Sequence, residues 1–267
     1  MVEHQAAVGV FDSGVGGLTV VRQIEARLPR ESIFYLGDTA RVPYGTKSPD
    51  TVVRYARSCA HILVSREIKL LVVACNTASA FALDVLREDL DIPVLGVIEP
   101  GALAAVRATR NGRIGVIGTA GTVRSGRYAE TIHALDGDLV VVSQPCPLFV
   151  PLAEEGWTHG DIPLSIARAY LEPLLQQGID TLVLGCTHYP LLKDVIAQAA
   201  GDGITLVDSA DETAAVVQHT LDGMGRLGTT PLIPQFRYFV TDAPEMFMLV
   251  GQRFLGHALQ ETEWVDF

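Results

Sequence analysis

Short aliphatic runs bounded by turn residues alternate along this chain with longer stretches whose apolar positions recur at helical spacing. Val8 to Phe11 reads as a strand that ends in the small-residue turn of "DSGVGGLTVV", and "SIFYLGD" (32–38) reads as the next strand. In "SPDTVVRYARSCAHILVSREI" (48–68), Val52, Ala56, Cys59, Ala60 and Leu63 fall on one helical stripe. A strand from Leu70 to Ala74, a helix from about Ser79 to Leu90 and a strand from Val94 to Val97 follow. The pattern then restarts. "RIGVIGTAGTVRSGRYAETI" (113–132) repeats the strand, small-residue turn and helix of the opening. "DLVVVSQ", a helix around Ile162 to Gln177 and a strand from Thr181 to Leu184 complete the second round. Pro173 is expected to kink that helix, because proline removes a helical donor. A last strand, Arg237 to Thr241, and a helix, Pro244 to Leu255, are read as returning to the first half, whereas Asp222 to Pro234 carries nothing that guides a reading.

Strands alternating with helices predict an α/β fold of mainly parallel sheets covered on both faces. The repeat predicts two pseudo-symmetric lobes: residues 1–98, completed by 209–267, and residues 99–208. A length of 267 residues agrees with two lobes at ~150 residues per domain. Ligands of such sheets bind beyond the carboxyl ends of the strands, so the expected site is the cleft between the lobes.

Composition narrows the partners. Hydrophobic content of 48% with 19% charged residues describes a globular chain. A net charge of −11 argues against a nucleic-acid partner, which needs clustered Lys and Arg. No apolar run is long enough for a membrane span, and "MVEHQAAVGVF" has no leader-like pattern, so a cytoplasmic protein is expected.

The four cysteines separate into two kinds. Cys59 lies on the helical stripe and reads as core, and Cys146, between Pro145 and Pro147, reads as a packed loop residue. Cys75 in "LLVVACNTAS" and Cys186 in "TLVLGCTHYP" instead close matching aliphatic runs, one in each half, and run straight into hydroxyl and amide residues. Their spacing does not suit zinc, and a disulfide is not expected in a reducing compartment. Two thiols facing each other across a cleft suit one reaction well: one removes a proton from a carbon and the other returns a proton to the opposite face. A free thiol pKa of about 8.5 lies close to operating pH for such general acid–base work. A single nucleophilic cysteine with a His–Asp pair, as in a cysteine hydrolase, leaves one of the two motifs idle. A non-catalytic amino-acid-binding protein is the third reading. "DSGVGG" (12–17) lacks dinucleotide and P-loop spacing. By itself Asp12 reads as a helix cap, while Ser13 and the amides after it could receive a carboxylate at a helix N-terminus. His188 is close enough to Cys186 to assist it, and Glu154 alone reads as solvated surface.

Six ordered motifs, "GVFDSGVGGLTV", "YLGDTARVPYG", "VVACNTAS", "GVIGTAGTV", "PLFVPLAEEG" and "LGCTHYPLL", resemble the cofactor-independent aspartate/glutamate racemase superfamily, and within it the glutamate racemases. The resemblance runs from about Val8 to Asp208 and resumes in "RYFVTDAPEMFMLVGQRFLG". It implies that Cys75 and Cys186 are the acid/base thiols, that Asp12 assists Cys75, and that His188 assists Cys186 with Glu154 on the same side. It implies substrate contacts from Ser13, Tyr44, Gly45, Asn76, Thr77, Thr119, Thr122 and Thr187, with Asp12 and His188 also at the substrate. The activity it implies is interconversion of L- and D-glutamate with no cofactor, supplying D-glutamate for peptidoglycan. The expected partner is the small-molecule substrate, glutamate, and a homodimer is the assembly to be tested. A racemase of aspartate or a related acid is the nearest rival, because paired thiols fix the reaction and not the side-chain length.

Overall fold

A computed structural model describes residues 6–228, 234–259 and 261–267. Residues 1–5, part of the stretch read for a leader, and 229–233, part of the stretch without guidance, lie outside the described residues.

The chain forms β1 (Val8–Asp12), α1 (Leu18–Arg27), β2 (Ile33–Gly37), α2 (Pro49–Val64), β3 (Leu70–Val73), α3 (Asn76–Asp89), β4 (Val94–Gly96) and α4 (Ile98–Ala108). It continues through β5 (Arg113–Gly118), α5 (Ala120–Ser125), α6 (Arg127–Leu135), β6 (Val140–Pro145), α7 (Phe149–Glu154), α8 (Asp161–Leu175) and β7 (Thr181–Gly185). Then come α9 (Lys193–Ala200), β8 (Thr205–Asp208), α10 (Ser209–Gly223), β9 (Phe236–Val240), α11 (Pro244–Leu255) and β10 (Thr262–Trp264). Single 3₁₀ turns lie at Tyr44–Thr46 and Tyr189–Leu192. Among the described residues no helix is long and apolar enough to cross a membrane.

The fold is α/β, with two parallel sheets. One has the order β10-β9-β2-β1-β3-β4 and the other β6-β5-β7-β8. The run β2-β1-β3-β4 in the first matches β6-β5-β7-β8 in the second, which is the pseudo-symmetry expected from the repeated pattern. Central strands are sealed on both faces: every residue of β1, β3 and β7 is buried, which is why they read as unbroken apolar runs. β9 pairs with β2, so the chain does return to the first sheet, and β10 extends it by a strand too short and polar to stand out in sequence.

One boundary differs from the sequence reading in a way that matters. α3 begins at Asn76, not near Ser79, because Cys75 occupies the N-cap position and its sulfur accepts the Ala78 amide at 3.4 Å. Asn76 and Thr77 are therefore in the first helical turn, not in a loop. The 48–68 segment likewise stops being helical at Val64 and finishes in turns, with Glu67 at φ 58°.

Next to the first sheet, Lys69 and Glu31 form an ion pair at 2.6 Å with both side chains at most 3% exposed. Lys69 Nζ also donates to the Arg226 carbonyl, and Glu31 accepts the Gly228 amide, so the pair holds the chain beyond α10 against the amino end of β3. Removing one buried partner strands the other charge. Lys69→Met is expected to lower unfolding free energy by about 3–5 kcal/mol, with Lys69→Met/Glu31→Leu recovering part of that loss. Urea unfolding of the three proteins checks this; a single-variant loss below about 1 kcal/mol contradicts it.

Candidate active site

In each sheet the chain order reverses between the first strand and the third, β1/β3 and β5/β7, and such a switch point leaves a crevice at the carboxyl ends of the strands. Asp12 ends β1, Cys75 lies just beyond β3, Thr119 follows β5 and Cys186 follows β7. The two switch points face each other. A cavity of about 50 Å³ lies between them, lined by Cys75, Ser13, Asn76 and Tyr44–Gly45 of the first half and by Thr119, Cys186–His188 and Glu154 of the second.

Cys75 is buried. Its sulfur is 3.5 Å from Ser13 Oγ, to which it donates, and it accepts the Ala78 amide at the mouth of α3. Burial, followed by the nearby charge of Asp12, pushes the thiol up to about 12, against the two hydrogen bonds. Asp12 is fully buried behind Ser13 and does not cap α1, whose N-cap is Gly17. It accepts the Gly14 amide at 2.9 Å and lies 3.5 Å from the Thr187 hydroxyl. Burial raises its pKa, opposed by the charge of His188 and by the backbone amides of the turn.

Cys186 has different company. Its sulfur lies 3.8 Å from His188 Nδ1, and His188 Nε2 lies 2.9 Å from Glu154 Oε1. Glu154 ends α7, and Arg253 of α11 donates to its carbonyl at 2.6 Å. The edge of Phe254 packs on the imidazole. Burial works against a charged imidazole, but the hydrogen bonds with Cys186 and Glu154, and then their charges, outweigh it and hold His188 up to about 10. A charged His188 is placed to exchange a proton with the Cys186 sulfur.

The halves meet through small residues. A Cβ on Gly16 would strike the Thr187 hydroxyl and the His188 ring, and one on Gly45 would sit 2.6 Å from Thr119 Cβ. Thr77, Thr119 and Thr122 form a hydroxyl triangle with edges of 2.9, 3.1 and 3.1 Å that joins α3 to the β5–α5 turn. Among the described residues no Lys or Arg lines the cavity, so an anion there would be held by hydroxyls, amides and the α3 N-terminus.

Of the residues singled out in sequence, Ser13, Tyr44, Gly45, Cys75, Asn76, Thr77, Thr119, Glu154, Cys186, Thr187 and His188 line the cavity. Asp12 and Thr122 stand one layer behind, Asp12 beneath the β1–α1 turn and Thr122 within the hydroxyl triangle. Tyr44 presents its ring, because its hydroxyl is committed to Asp38, which Arg41 and Thr241 also bind. Sequence reasoning missed Val42, Pro43 and Val150, which supply apolar wall, and no periodic signal marks them. Cys59 and Cys146 are buried outside the cavity, as core and packed loop.

Comparison with known proteins gives the family. The chain is 58% identical to a glutamate racemase of Geobacter metallireducens over 97% of this chain and 96% of that one. It is 47% identical to a glutamate racemase of Neisseria meningitidis over 99% and 98%. The structure superposes on glutamate racemase from Francisella tularensis in complex with D-glutamate with a TM-score of 0.93 at 39% identity, covering 98% of both chains. The model of the Asp/Glu/Hydantoin racemase family matches residues 10–217, and the chain belongs to that family.

Proposed function

We propose that this protein interconverts L- and D-glutamate by moving a proton at Cα between Cys75 and Cys186, with no cofactor. The observation that carries this reading is that the two thiols, at equivalent strand ends of two pseudo-symmetric sheets, line one small cavity. Glutamate, and not a shorter acid, is favoured by the full-length relatives. The two lobes would be 1–98 with 209–267 and 99–208, closing on substrate held between them.

Burial, and then the Asp12 charge, favour the protonated form of Cys75, which suits it to be the proton donor in the direction that starts from L-glutamate. From L-glutamate, Cys186 takes the Cα proton on one face and Cys75 delivers its own on the other; from D-glutamate the roles reverse. His188, held protonated by its Cys186 and Glu154 contacts, supports the charge changes at Cys186. Asp12 does the same beside Cys75, where the substrate ammonium offsets its charge. Ser13, the Gly45 backbone, Asn76, Thr77, Thr119 and Thr187 bind the carboxylates, and Thr122 and Tyr44 hold the wall in place. Acid–base catalysis alone supplies ~10²–10⁴-fold, so orientation in the closed cavity and fixed dipoles must supply the remainder. D-glutamate for peptidoglycan is the product use that the family resemblance implies. A cytoplasmic location and a homodimer belong to the same proposal on the same resemblance, and sedimentation tests the second.

Two thiols on opposite faces leave an isotopic signature. In D₂O, product formed in the first turnovers from either enantiomer should carry deuterium at Cα while recovered substrate stays largely protiated. Cys75→Ala or Cys186→Ala should each reduce racemisation drastically in both directions. Rapid deuteration of unreacted substrate, or near-normal racemisation by either variant, refutes the two-base assignment.

The His188 pair predicts a pH dependence of stability. A folded-state pKa raised from 6.5 to about 10 contributes stability that is fully present below pH 6.5 and lost as pH rises through 10. Glu154→Gln removes one of the contacts that raise it, so that loss should begin at lower pH. Denaturation midpoints of both proteins from about pH 6 to 11 test the shift; superimposable profiles would contradict the charged-pair account.

A further inference from the structure

Asn76 lines the cavity, yet its side chain is held from behind by groups that no motif singled out. Its Oδ1 accepts a 2.8 Å hydrogen bond from the Tyr128 hydroxyl, while its Nδ2 is buried with no partner among the described residues. A buried amide donor without a partner costs about 1–3 kcal/mol, so it is retained where a ligand acceptor can repay it. An amide is symmetric enough in shape to sit either way round, and only its hydrogen bonds decide which end faces the ligand. Here they do decide. Tyr128, on α6 of the second half, has Ser209, the first residue of α10, beside it, and the Ser209 side chain favours loss of the tyrosine proton, the direction expected of a hydroxyl donating to the tyrosine oxygen. All three residues are at most 5% exposed. Gly101 of α4 makes room for the contact: a Cβ there would lie 3.0 Å from Ser209 Cβ and 3.2 Å from the Tyr128 hydroxyl oxygen.

A serine hydroxyl and a tyrosine hydroxyl each have one proton to donate. With Ser209 donating to the tyrosine oxygen, the tyrosine proton is left for Asn76 Oδ1. The carbonyl end of the amide is thereby turned away from the cavity, and the NH₂ end is left for a carboxylate. The reversed amide would set a carbonyl oxygen against that carboxylate and repel it. We propose that Tyr128, oriented by Ser209, is a positioning residue that fixes the Asn76 amide so that Nδ2 donates to a carboxylate oxygen of the substrate. This rests on the racemase reading for the identity of the substrate, and it assigns to Tyr128 and Ser209 no contact with the reacting atoms.

Tyr128→Phe keeps the ring and deletes only the donor. It should raise KM for L- and D-glutamate alike by roughly tenfold or more, the range for losing a hydrogen bond to a charged group. kcat should stay within about threefold, because a contact made equally in ground and transition states acts on KM alone. Asn76→Ala should show a similar rise. In Tyr128→Phe/Asn76→Ala the tyrosine change should add no more than about twofold, since its effect passes through Asn76. Ser209→Ala should give a smaller rise that also vanishes in the Asn76→Ala background, and it provides a second route if Tyr128→Phe folds poorly. Calorimetric binding of L-glutamate to the same proteins should weaken by the same factors. A wild-type protein that binds glutamate without racemising it refutes the racemase reading and leaves this coupling measurable. Unchanged KM and binding in Tyr128→Phe, unchanged values in Asn76→Ala, or a tyrosine effect that multiplies in full onto Asn76→Ala would each overturn the positioning role.

Discussion

At Gly45 and Gly16 the two halves approach so closely that one methyl group on either would collide with the opposite side, and everything else in the site depends on that closeness. The carboxyl ends of parallel strands are ordinarily solvent-facing and carry exposed loop residues. Here two such ends are pressed together with hydroxyls and bare backbone between them. The result is a small cavity with a thiol from each half in its wall. Burial around it lowers the local dielectric, and that burial is the first cause of the raised pKa values of Cys75 and Asp12 alike. It also makes each fixed dipole around a bound carboxylate count for more than it would in water.

The topology is nearly two-fold, but the charge distribution is not. Cys75 sits over a helix N-terminus with a hydroxyl and a buried carboxylate behind it. Cys186 sits against an imidazole with a half-exposed carboxylate behind that. A reversible proton transfer between mirror-image substrates needs no such symmetry of surroundings. The two enantiomers have equal free energy in water and both directions share the same transition states, so unlike neighbours leave the equilibrium unchanged. The carboxylate next to Cys75 resists loss of the thiol proton, while the histidine next to Cys186 offers a positive charge. An amino acid carries both signs.

Much of this was legible in the chain. Unbroken apolar runs such as Leu70–Val73 and Thr181–Gly185 reveal central parallel strands because both of their faces are covered, and the small-residue turns after Phe11 and Ile117 reveal the repeat. The matched cysteines followed from the same logic, since a thiol where a buried strand emerges has a reason to be there. The start of α3 was misplaced because the residue that caps it is a cysteine, which no propensity rule favours at that position. Asp12 looked like a helix cap because its true partner, the Gly14 amide, belongs to a turn lying between the strand and the helix. Tyr128 and Ser209 left no trace in the pattern. They are ordinary helix residues in sequence, and their position behind Asn76 comes only from the packing of α4, α6 and α10. β10 escaped because three half-polar residues at an edge have no periodicity to read.

The last helix gives the site an unusual dependence on time. Phe254 and Arg253 of α11 brace His188 and Glu154, while Asp12 and Ser13 come from the first strand. The segment carrying α11 joins the first sheet through β9, which pairs beside β2 more than two hundred positions earlier in the chain. During synthesis the second half can be complete, with both thiols already outside the ribosome, and the histidine would still lack its brace. The contacts that hold the imidazole and Glu154 from outside the cavity are therefore among the last that the growing chain can make.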